Sequence, residues 1–228
     1  MLAYPELLAA QNLITMSDKN AFFDRQLDSV VKEYPNLQIK VEDDTSLIKG
    51  ILDIPDDNGD VAGCFAIEIR PSPGFPYAFP ELYEVGGEIP CEADWHKYSD
   101  NSCCLTVQAK ERLICYHGIT LVWFIKNIAI PYFANQLYKK QTGSYLQEYS
   151  HGNDGVKEFY RELFQSSDIN VWRICRDVAF RGSKYERNGK CYCNSGKKYK
   201  KCHLPIEDKV RMIGEKQIMF DFKMMNLI

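Results

Sequence analysis

Residues 63–80 read Gly63-Cys64-Phe65-Ala66-Ile67-Glu68-Ile69-Arg70-Pro71-Ser72-Pro73-Gly74-Phe75-Pro76-Tyr77-Ala78-Phe79-Pro80. In the first half, large apolar side chains recur at every second position, and this period of two predicts a β-strand from Gly63 to Arg70 with one buried face. The four prolines of the second half exclude a helix and regular strand pairing. We therefore expect a strand that leads into a rigid extended passage from Pro71 to Pro80.

Three further strands and a helix surround this stretch. Alternation of apolar and polar residues predicts a strand from Leu37 to Val41, and a second strand from Ser46 to Ile54 ends at a turn rich in Asp, Asn and Gly. A short strand follows the prolines, from Leu82 to Val85. Apolar residues at helical spacing predict a first helix from Ser17, its N-cap, to Tyr34. The order predicts a four-stranded antiparallel meander.

Helices dominate the chain after the sheet. A loop-rich stretch runs from Gly86 to Cys115, and helical spacing of apolar residues returns at Thr120, with an expected kink at Pro131. Two further amphipathic segments, Gly155–Gln165 and Ile169–Phe180, follow. Because the strands precede most of the helices, the fold class is predicted to be α+β with the helices segregated from the sheet.

The composition is that of an ordinary globular protein. Of 228 residues, 45% are hydrophobic and 26% are charged, which excludes a disordered or membrane-embedded chain. We predict a domain at 1–180, a small module at 181–205 and a tail at 206–228. No membrane span or export leader is recognisable, so we expect a cytoplasmic protein without a membrane partner. Nine cysteines then predict thiols, metal ligands or a nucleophile rather than disulfides.

The most specific motif lies near the C-terminus and reads Cys191-Tyr192-Cys193-Asn194-Ser195-Gly196-Lys197-Lys198-Tyr199-Lys200-Lys201-Cys202-His203. Thiols at i and i+2 can reach one cation through a tight turn, and Cys202-His203 complete a set of three sulfurs and one imidazole nitrogen. We predict a structural Zn²⁺ site with the ligands Cys191, Cys193, Cys202 and His203. Four protein ligands leave no position for water, so the metal is expected to fold a small module and not to catalyse a reaction.

These residues resemble the SEC-C motif almost position for position. That motif is a small zinc module known from the tail of the bacterial secretion ATPase and from many unrelated bacterial proteins. The resemblance covers residues 191–203 only. It implies metal binding and an accessory role, often in docking, and it implies no activity.

A positive patch accompanies the motif. Eight basic residues and one acid, Glu186, lie between Arg181 and Lys201, whereas the whole chain has a net charge of −3. Two interpretations stay open: the charges solvate a module too small for a core, or they dock an acidic protein surface. We rank nucleic acid third and regard it as an unlikely partner, because aromatic residues for base stacking are limited to Tyr185, Tyr192 and Tyr199.

A second candidate site lies in the loop-rich stretch, at Trp95-His96-Lys97-Tyr98-Ser99-Asp100-Asn101-Ser102-Cys103-Cys104-Leu105. A polar-flanked loop suits a cysteine that reacts with the C-terminus of another protein, because such a thiol must be exposed. Thioester exchange needs a thiolate and a donor for the developing oxyanion, but no metal. Adjacent residues of an extended segment point to opposite sides, so we expect one of Cys103 and Cys104 to face the body of the protein.

The order of elements and these residues together resemble the ubiquitin-conjugating enzyme (UBC) fold, over about Ser17 to Gln141. Members of that family have a helix, a four-stranded meander, a proline-rich passage, a His-Pro-Asn motif and a nucleophilic cysteine followed by leucine. The resemblance is greatest to divergent bacterial members found in antiphage operons of the CBASS type. It implies that His96 occupies the histidine position and that Cys104, followed by Leu105, is the nucleophile.

This chain departs from the family at one important place. Lys97-Tyr98 stands where the family has Pro-Asn, so the asparagine amide that helps to stabilise the oxyanion is absent from its usual position. Asn101, Ser102 and the ring of His96 are the alternatives for that role. The candidate catalytic residues are Cys104, His96 and Asn101.

The resemblance implies a conjugating enzyme, a transferase that carries the C-terminus of a partner protein as a cysteine thioester in antiviral defence. The partner would be a cGAS-like nucleotidyltransferase of the same operon. Either a separate activating enzyme would supply the activated carboxyl group, or the conjugation would run in a reduced system without one. The rival hypothesis is a catalytically inert UBC-fold binding module that recruits partners through its groove and zinc knuckle. The missing asparagine favours this rival, and the retained Cys-Leu pair after a histidine opposes it.

Overall fold

The computed structural model describes residues 20–146 and 149–228. These residues form two compact units. The sheet unit comprises residues 20–105 together with Gly118–Leu146, and the helical unit comprises Thr106–His117 together with residues 149–228. Whether 1–180 and 181–205 are independent domains stays a prediction.

The sheet unit is built on four strands: β1 Leu37–Glu42, β2 Thr45–Pro55, β3 Val61–Arg70 and β4 Glu81–Glu84. The strands lie in the order β1-β2-β3-β4, and each neighbouring pair is antiparallel. The predicted α+β class, with a four-stranded antiparallel meander and flanking helices, is confirmed. The turn after β2 is closed by the carboxylate of Asp56, which accepts hydrogen bonds from the main-chain N–H groups of Asn58 at 2.8 Å and Asp60 at 2.9 Å.

One face of the sheet supplies the core of this unit. Phe65, Ile67 and Ile69 of β3 are at most 1% exposed, as the period of two predicts. The ring of Phe65 stacks on that of Phe133 with centroids 4.6 Å apart. The hydrophobic pattern therefore identified the buried face correctly.

The predicted first helix is interrupted. Two short helices, α1 Ala21–Asp24 and α2 Leu27–Glu33, replace the single helix expected to run to Tyr34, and its predicted N-cap, Ser17, lies outside the described residues. Gln26 occupies the break, where its side chain donates to the carbonyl of Phe22 at 3.1 Å and accepts from the N–H of Leu121 at 2.7 Å. The long-range bond with Leu121 explains the break, and no local pattern shows it.

The proline passage folds into consecutive turns and is not extended. The carbonyl of Ser72 accepts from the N–H of Phe75 at 3.2 Å, and the carbonyl of Gly74 accepts from Tyr77 at 2.8 Å. The Ser72 hydroxyl closes the passage by donating to the carbonyl of Phe79 at 2.6 Å. Burial of Phe75 and Phe79 accounts for the folding back, because an extended segment would leave both rings in water.

The stretch Gly86–Cys115, expected to be loop-rich, contains helix α3, Gln108–Ile114, which belongs to the helical unit. Ala109 is buried in the core of that unit, and Val107 and Leu113 pack against it. A helix of seven residues is marginal on its own, so this tertiary packing stabilises it.

A π turn lies shortly before Pro131, where the sequence predicts a kink, and the kink itself stays a prediction. Thr120 caps α4, Leu121–Phe124, by accepting from the N–H of Trp123 at 3.2 Å. The π turn Ile125–Ala129 follows, and α5, Ile130–Thr142, completes the sheet unit's helical layer. Proline has no N–H to donate to the preceding turn, and a wider turn accommodates that loss.

Four helices complete the helical unit: α6 Asn153–Phe164, α7 Ile169–Arg181, α8 Leu204–Ile213 and α9 Glu215–Met224. The first two match the amphipathic segments predicted from the sequence. Residues 206–228, expected to be a tail, instead form most of α8 and all of α9. The reason is burial, because Val210, Ile218 and Phe222 are 0% exposed and belong to the same core as Tyr160. Among the described helices, none is long and apolar enough to cross a membrane.

Candidate functional site

The four predicted metal ligands converge in the helical unit. The side-chain ligand atoms of Cys191, Cys193, Cys202 and His203 all lie within 4.8 Å of one another. His203 Nδ1 is 3.3 Å from the sulfur of Cys191 and 3.3 Å from that of Cys202, and the sulfurs of Cys193 and Cys202 are 3.5 Å apart. Tetrahedral zinc, with Zn–S of about 2.3 Å and Zn–N of about 2.0 Å, would separate its ligand atoms by roughly 3.5 Å. The donor set and its geometry therefore fit one such metal ion.

A tight loop brings the first two thiols to the second pair. The main chain pairs Lys190 with Lys198, and the N–H of Cys191 donates to the carbonyl of Lys197 at 3.0 Å. Gly196 lies inside this loop at a φ of 74°, a left-handed conformation in which a residue without a Cβ is favoured. Cys191 and Cys193 can bind the same cation as Cys202 and His203 only because the chain reverses its direction between the two pairs.

His203 is fixed by a second hydrogen bond on the far side of its ring. Its Nε2 lies 3.1 Å from the main-chain oxygen of Phe164, and because a carbonyl can only accept, Nε2 carries the proton. Nδ1 then presents its lone pair to the thiols, an arrangement typical of metal-binding histidines. Burial lowers the pKa of His203, which favours the neutral imidazole that metals bind.

A buried carboxylate ties the motif to α8. Glu207, 0% exposed, accepts hydrogen bonds from the hydroxyls of Tyr192, at 3.0 Å, and Tyr199. Burial raises the pKa of Glu207, and the two hydroxyls partly offset that effect. The rings of Tyr185, Tyr192 and Tyr199 pack against one another, with Tyr199 fully buried, so they form a small core and not an open platform for bases.

The basic residues around the motif remain mostly without acidic partners. Within residues 20–146 and 149–228, only Arg181 of the eight forms an ion pair, with Asp177 at 3.6 Å. The other seven form no ion pair within the described residues: Lys184, Arg187, Lys190, Lys197, Lys198, Lys200 and Lys201. The surface of the motif is therefore a positive patch, as its sequence predicts.

Comparison with known families agrees with this geometry. Residues 187–205 match the SEC-C motif. No match to a curated protein was found for the chain. The SEC-C match and the Cys/His cluster are consistent with a zinc-binding C-terminus, and they leave the identity of the metal to measurement.

The second candidate site, in the sheet unit, is a small hairpin at residues 96–104, here called the cysteine hairpin. Lys97 pairs with Cys103 across an antiparallel bridge. The N–H of Cys104 donates to the carbonyl of His96 at 2.8 Å, and the N–H of Tyr98 donates to the carbonyl of Ser102 at 2.9 Å. Paired residues point to the same side, and successive residues along a strand point to opposite sides. The register therefore places His96, Tyr98 and Cys104 on one face.

The opposite face of the hairpin is buried. The Lys97 ammonium group pairs with the Glu84 carboxylate, both side chains being 0% exposed, and donates to the carbonyl of Ile89 at 3.1 Å. The Cys103 thiol lies on this side, and burial raises its pKa to about 12. Both thiols are half-buried, and their environments differ because Cys103 lies on the side of the Lys97–Glu84 pair whereas Cys104 lies on the other face.

A tyrosine that sequence reasoning did not select lies next to Cys104. Tyr98 is 57% exposed, and a hydrogen bond with the Cys104 thiol raises the pKa of its hydroxyl to about 12. The only feature of the sequence that could have indicated Tyr98 is its position two residues after His96. Pairing across the hairpin creates the proximity, and that pairing is not visible in the sequence.

The other candidate catalytic residues have structural contacts. The main-chain carbonyl of His96 accepts from Cys104 and, at 2.9 Å, from the Tyr132 hydroxyl, while its ring packs edge-on against Tyr145 at 5.3 Å. Asn101 lies in the turn at a φ of 70°, and its amide oxygen accepts from the Cys91 thiol at 3.4 Å. The structure thus places His96 beside Cys104 and gives the Asn101 side chain another contact. Their catalytic roles stay predictions.

Proposed function

We propose that the chain is a ubiquitin-conjugating-like acyl transferase that carries the C-terminus of a partner protein as a thioester on Cys104. The cysteine hairpin is the observation that supports this most. It holds Cys104 on its outer face by a main-chain bond to His96, while Lys97 and Cys103 secure the inner face. A rigid support behind one accessible thiol is what acyl transfer to a cysteine requires.

The reaction is a thioester exchange. The Cys104 thiolate attacks the carbonyl carbon of an incoming thioester, a new C–S bond forms, and the carbonyl oxygen becomes an oxyanion. Collapse of this intermediate breaks the old C–S bond and releases the donor's thiolate, which takes up the proton that Cys104 lost to solvent. Thiolate is a good leaving group, so a strong general base is not needed.

The partners follow from the resemblance to the UBC fold. A separate activating enzyme would be the thioester donor, and a cGAS-like nucleotidyltransferase of a CBASS-type antiphage operon would supply the carried C-terminus. The positive surface of the SEC-C motif would dock an acidic protein in the cytoplasm, because its tyrosine rings are occupied in a small core. The motif's metal, zinc in this proposal, would be structural.

The test uses the purified chain and a synthetic peptide with a C-terminal mercaptoethanesulfonate thioester. We expect the mass of the protein to increase by that of the peptide acyl group, and hydroxylamine to remove the adduct. Peptide mapping should place it on Cys104 at a rate at least about tenfold above that of Cys64, an exposed thiol on β3, because the hairpin orients Cys104.

Cys104→Ala should abolish the fast adduct, and Cys103→Ala should retain it. Equal rates at Cys104 and Cys64, or loss of the fast adduct in Cys103→Ala alone, would show that Cys104 is not the acyl carrier. If Cys104 is the acyl carrier, co-expression of Cys104→Ser with neighbouring genes should trap the carried partner protein as an oxyester that survives reductant.

A catalytically inert binding module is the second candidate function. Two observations favour it: Lys97 serves as a buried ion-pair partner, and the only amide side chain of the hairpin's turn, Asn101, contacts Cys91. In this case Cys104 would exchange thioesters no faster than Cys64, and a partner would be captured by wild type and Cys104→Ala alike.

A further inference from the structure

Tyr98 and Cys104 are diagonal neighbours on the outer face of the cysteine hairpin. Lys97 pairs with Cys103, so Tyr98 lies opposite Ser102 and Cys104 lies opposite His96. Diagonal neighbours on one face lie within reach of an aromatic side chain. The Tyr98 ring is largely exposed.

We propose that the Tyr98 hydroxyl donates a hydrogen bond to the acyl oxygen at Cys104 and stabilises the oxyanion formed during thioester exchange. This inference rests on the proposed function. As a diagonal neighbour on the same face, the hydroxyl can reach the acyl oxygen when the acyl group arrives on Cys104. It keeps its proton throughout, so it changes no bond in the reaction and acts only as a donor.

The state of the hydroxyl suits this role. The pKa of Tyr98 is raised to about 12 by its hydrogen bond with the Cys104 thiol and by burial, so the phenol stays protonated near neutral pH. A protonated phenol on a rigid ring is a donor that needs little reorganisation. Side-chain donors placed where negative charge develops contribute about 10²–10³-fold to the rate.

The three alternatives weighed from the sequence are less well placed. The Asn101 amide oxygen accepts from Cys91, and the Ser102 hydroxyl donates to the Asp100 carboxylate at 2.6 Å. The His96 ring packs against Tyr145. Tyr98 is therefore the residue of the hairpin whose side-chain donor is aimed at the Cys104 sulfur.

The experiment compares two reactions of Cys104 in wild type, Tyr98→Phe and Tyr138→Phe. The first is acylation by the peptide thioester, which passes through an oxyanion. The second is alkylation by iodoacetamide, which attacks at carbon without forming one. Tyr138, an exposed tyrosine of α5, is the matched control.

We expect Tyr98→Phe to slow acylation by roughly 10²-fold while alkylation keeps the wild-type rate, and Tyr138→Phe to change neither. Unchanged acylation in Tyr98→Phe overturns this inference alone, and so does an equal slowing of both reactions, because the hydroxyl would then act on the thiol. Wild-type protein without a fast Cys104 adduct overturns the proposed function and this inference with it.

Discussion

His203 Nε2 donates a hydrogen bond to the main-chain oxygen of Phe164 at 3.1 Å. Phe164 ends α6, and its ring stacks on Trp172 at 5.4 Å in the core of the helical unit. One nitrogen of the ring thus faces the metal ligands and the other holds the end of a core helix. The metal site is therefore linked to the core of the helical unit through the His203 ring.

We expect one zinc ion per chain, measured by elemental analysis. Cys193→Ser should lose the metal, because three ligands bind far more weakly than a closed set of four. Cys64→Ser, which changes a thiol on β3 outside the cluster, is the matched control and should keep it. Metal-free wild type, or full metal content in Cys193→Ser, would contradict the assignment.

Removal of the metal by a chelator should loosen α6 and α8 as well as residues 187–205. A buried hydrogen bond left without its partner costs about 1–3 kcal/mol, so the amides of these helices should exchange hydrogen at least about tenfold faster. Hydrogen exchange followed by mass spectrometry measures this. Peptides of β2 and β3 serve as the internal control and should be unchanged. A change confined to residues 187–205 would show that the motif folds alone, as the sequence suggested.

Iodoacetamide should leave Cys103, Cys115 and Cys175 unmodified in the folded protein. Burial raises the pKa of each of these thiols to about 12, so at about pH 8 roughly one molecule in 10⁴ carries the reactive thiolate. The exposed Cys64 and Cys91 should react, which peptide mapping will show. Rapid labelling of Cys103 would mean that the hairpin does not bury its inner face.

Lys97→Met should lower the free energy of unfolding of the sheet unit by about 3–5 kcal/mol, because it leaves the Glu84 carboxylate buried without a cation. The double variant Lys97→Met, Glu84→Gln should recover part of this loss, since no charge stays buried and the amide oxygen can still accept from the N–H of Glu88. Chemical denaturation checks both values. Equal stability of the single variant and wild type would show that water reaches the pair.

Asp221 should make the helical unit more stable as the pH falls from neutral toward the ordinary pKa of an aspartate, about 3.9. Burial raises the pKa of this carboxyl group, so the folded protein takes up a proton at a higher pH than the unfolded chain does. Tyr160 and Gln217 donate to it at 2.7 and 2.8 Å and oppose the shift. The difference in unfolding free energy between wild type and Asp221→Asn, measured across this range, should increase toward low pH. A difference that falls toward low pH would reverse the assigned sign.

The sheet and the metal ligands were predictable because their signals are local. Strand β3 and its buried face follow from alternation over a few residues, and the ligand set follows from residue types at short spacing. Both depend on geometry that neighbouring residues impose on one another. Helix α3 was not predicted for the opposite reason. Its few apolar residues stabilise a helix only because they pack against a core that distant segments form.

Some features of the cysteine hairpin were likewise predictable from the sequence, and others depend on tertiary contacts. The sequence alone predicted the loop, the adjacent thiols and their opposite directions. In any extended chain, successive side chains point to opposite sides. Which thiol lies on the inner face depends on the buried Lys97–Glu84 pair, and the neighbour of Cys104 depends on the register that aligns Lys97 with Cys103. Likewise, the sequence motif predicted the four metal ligands, but it did not predict the hydrogen bond from His203 to Phe164. Only the tertiary structure decides such relationships, since they join residues that the chain separates and folding brings together.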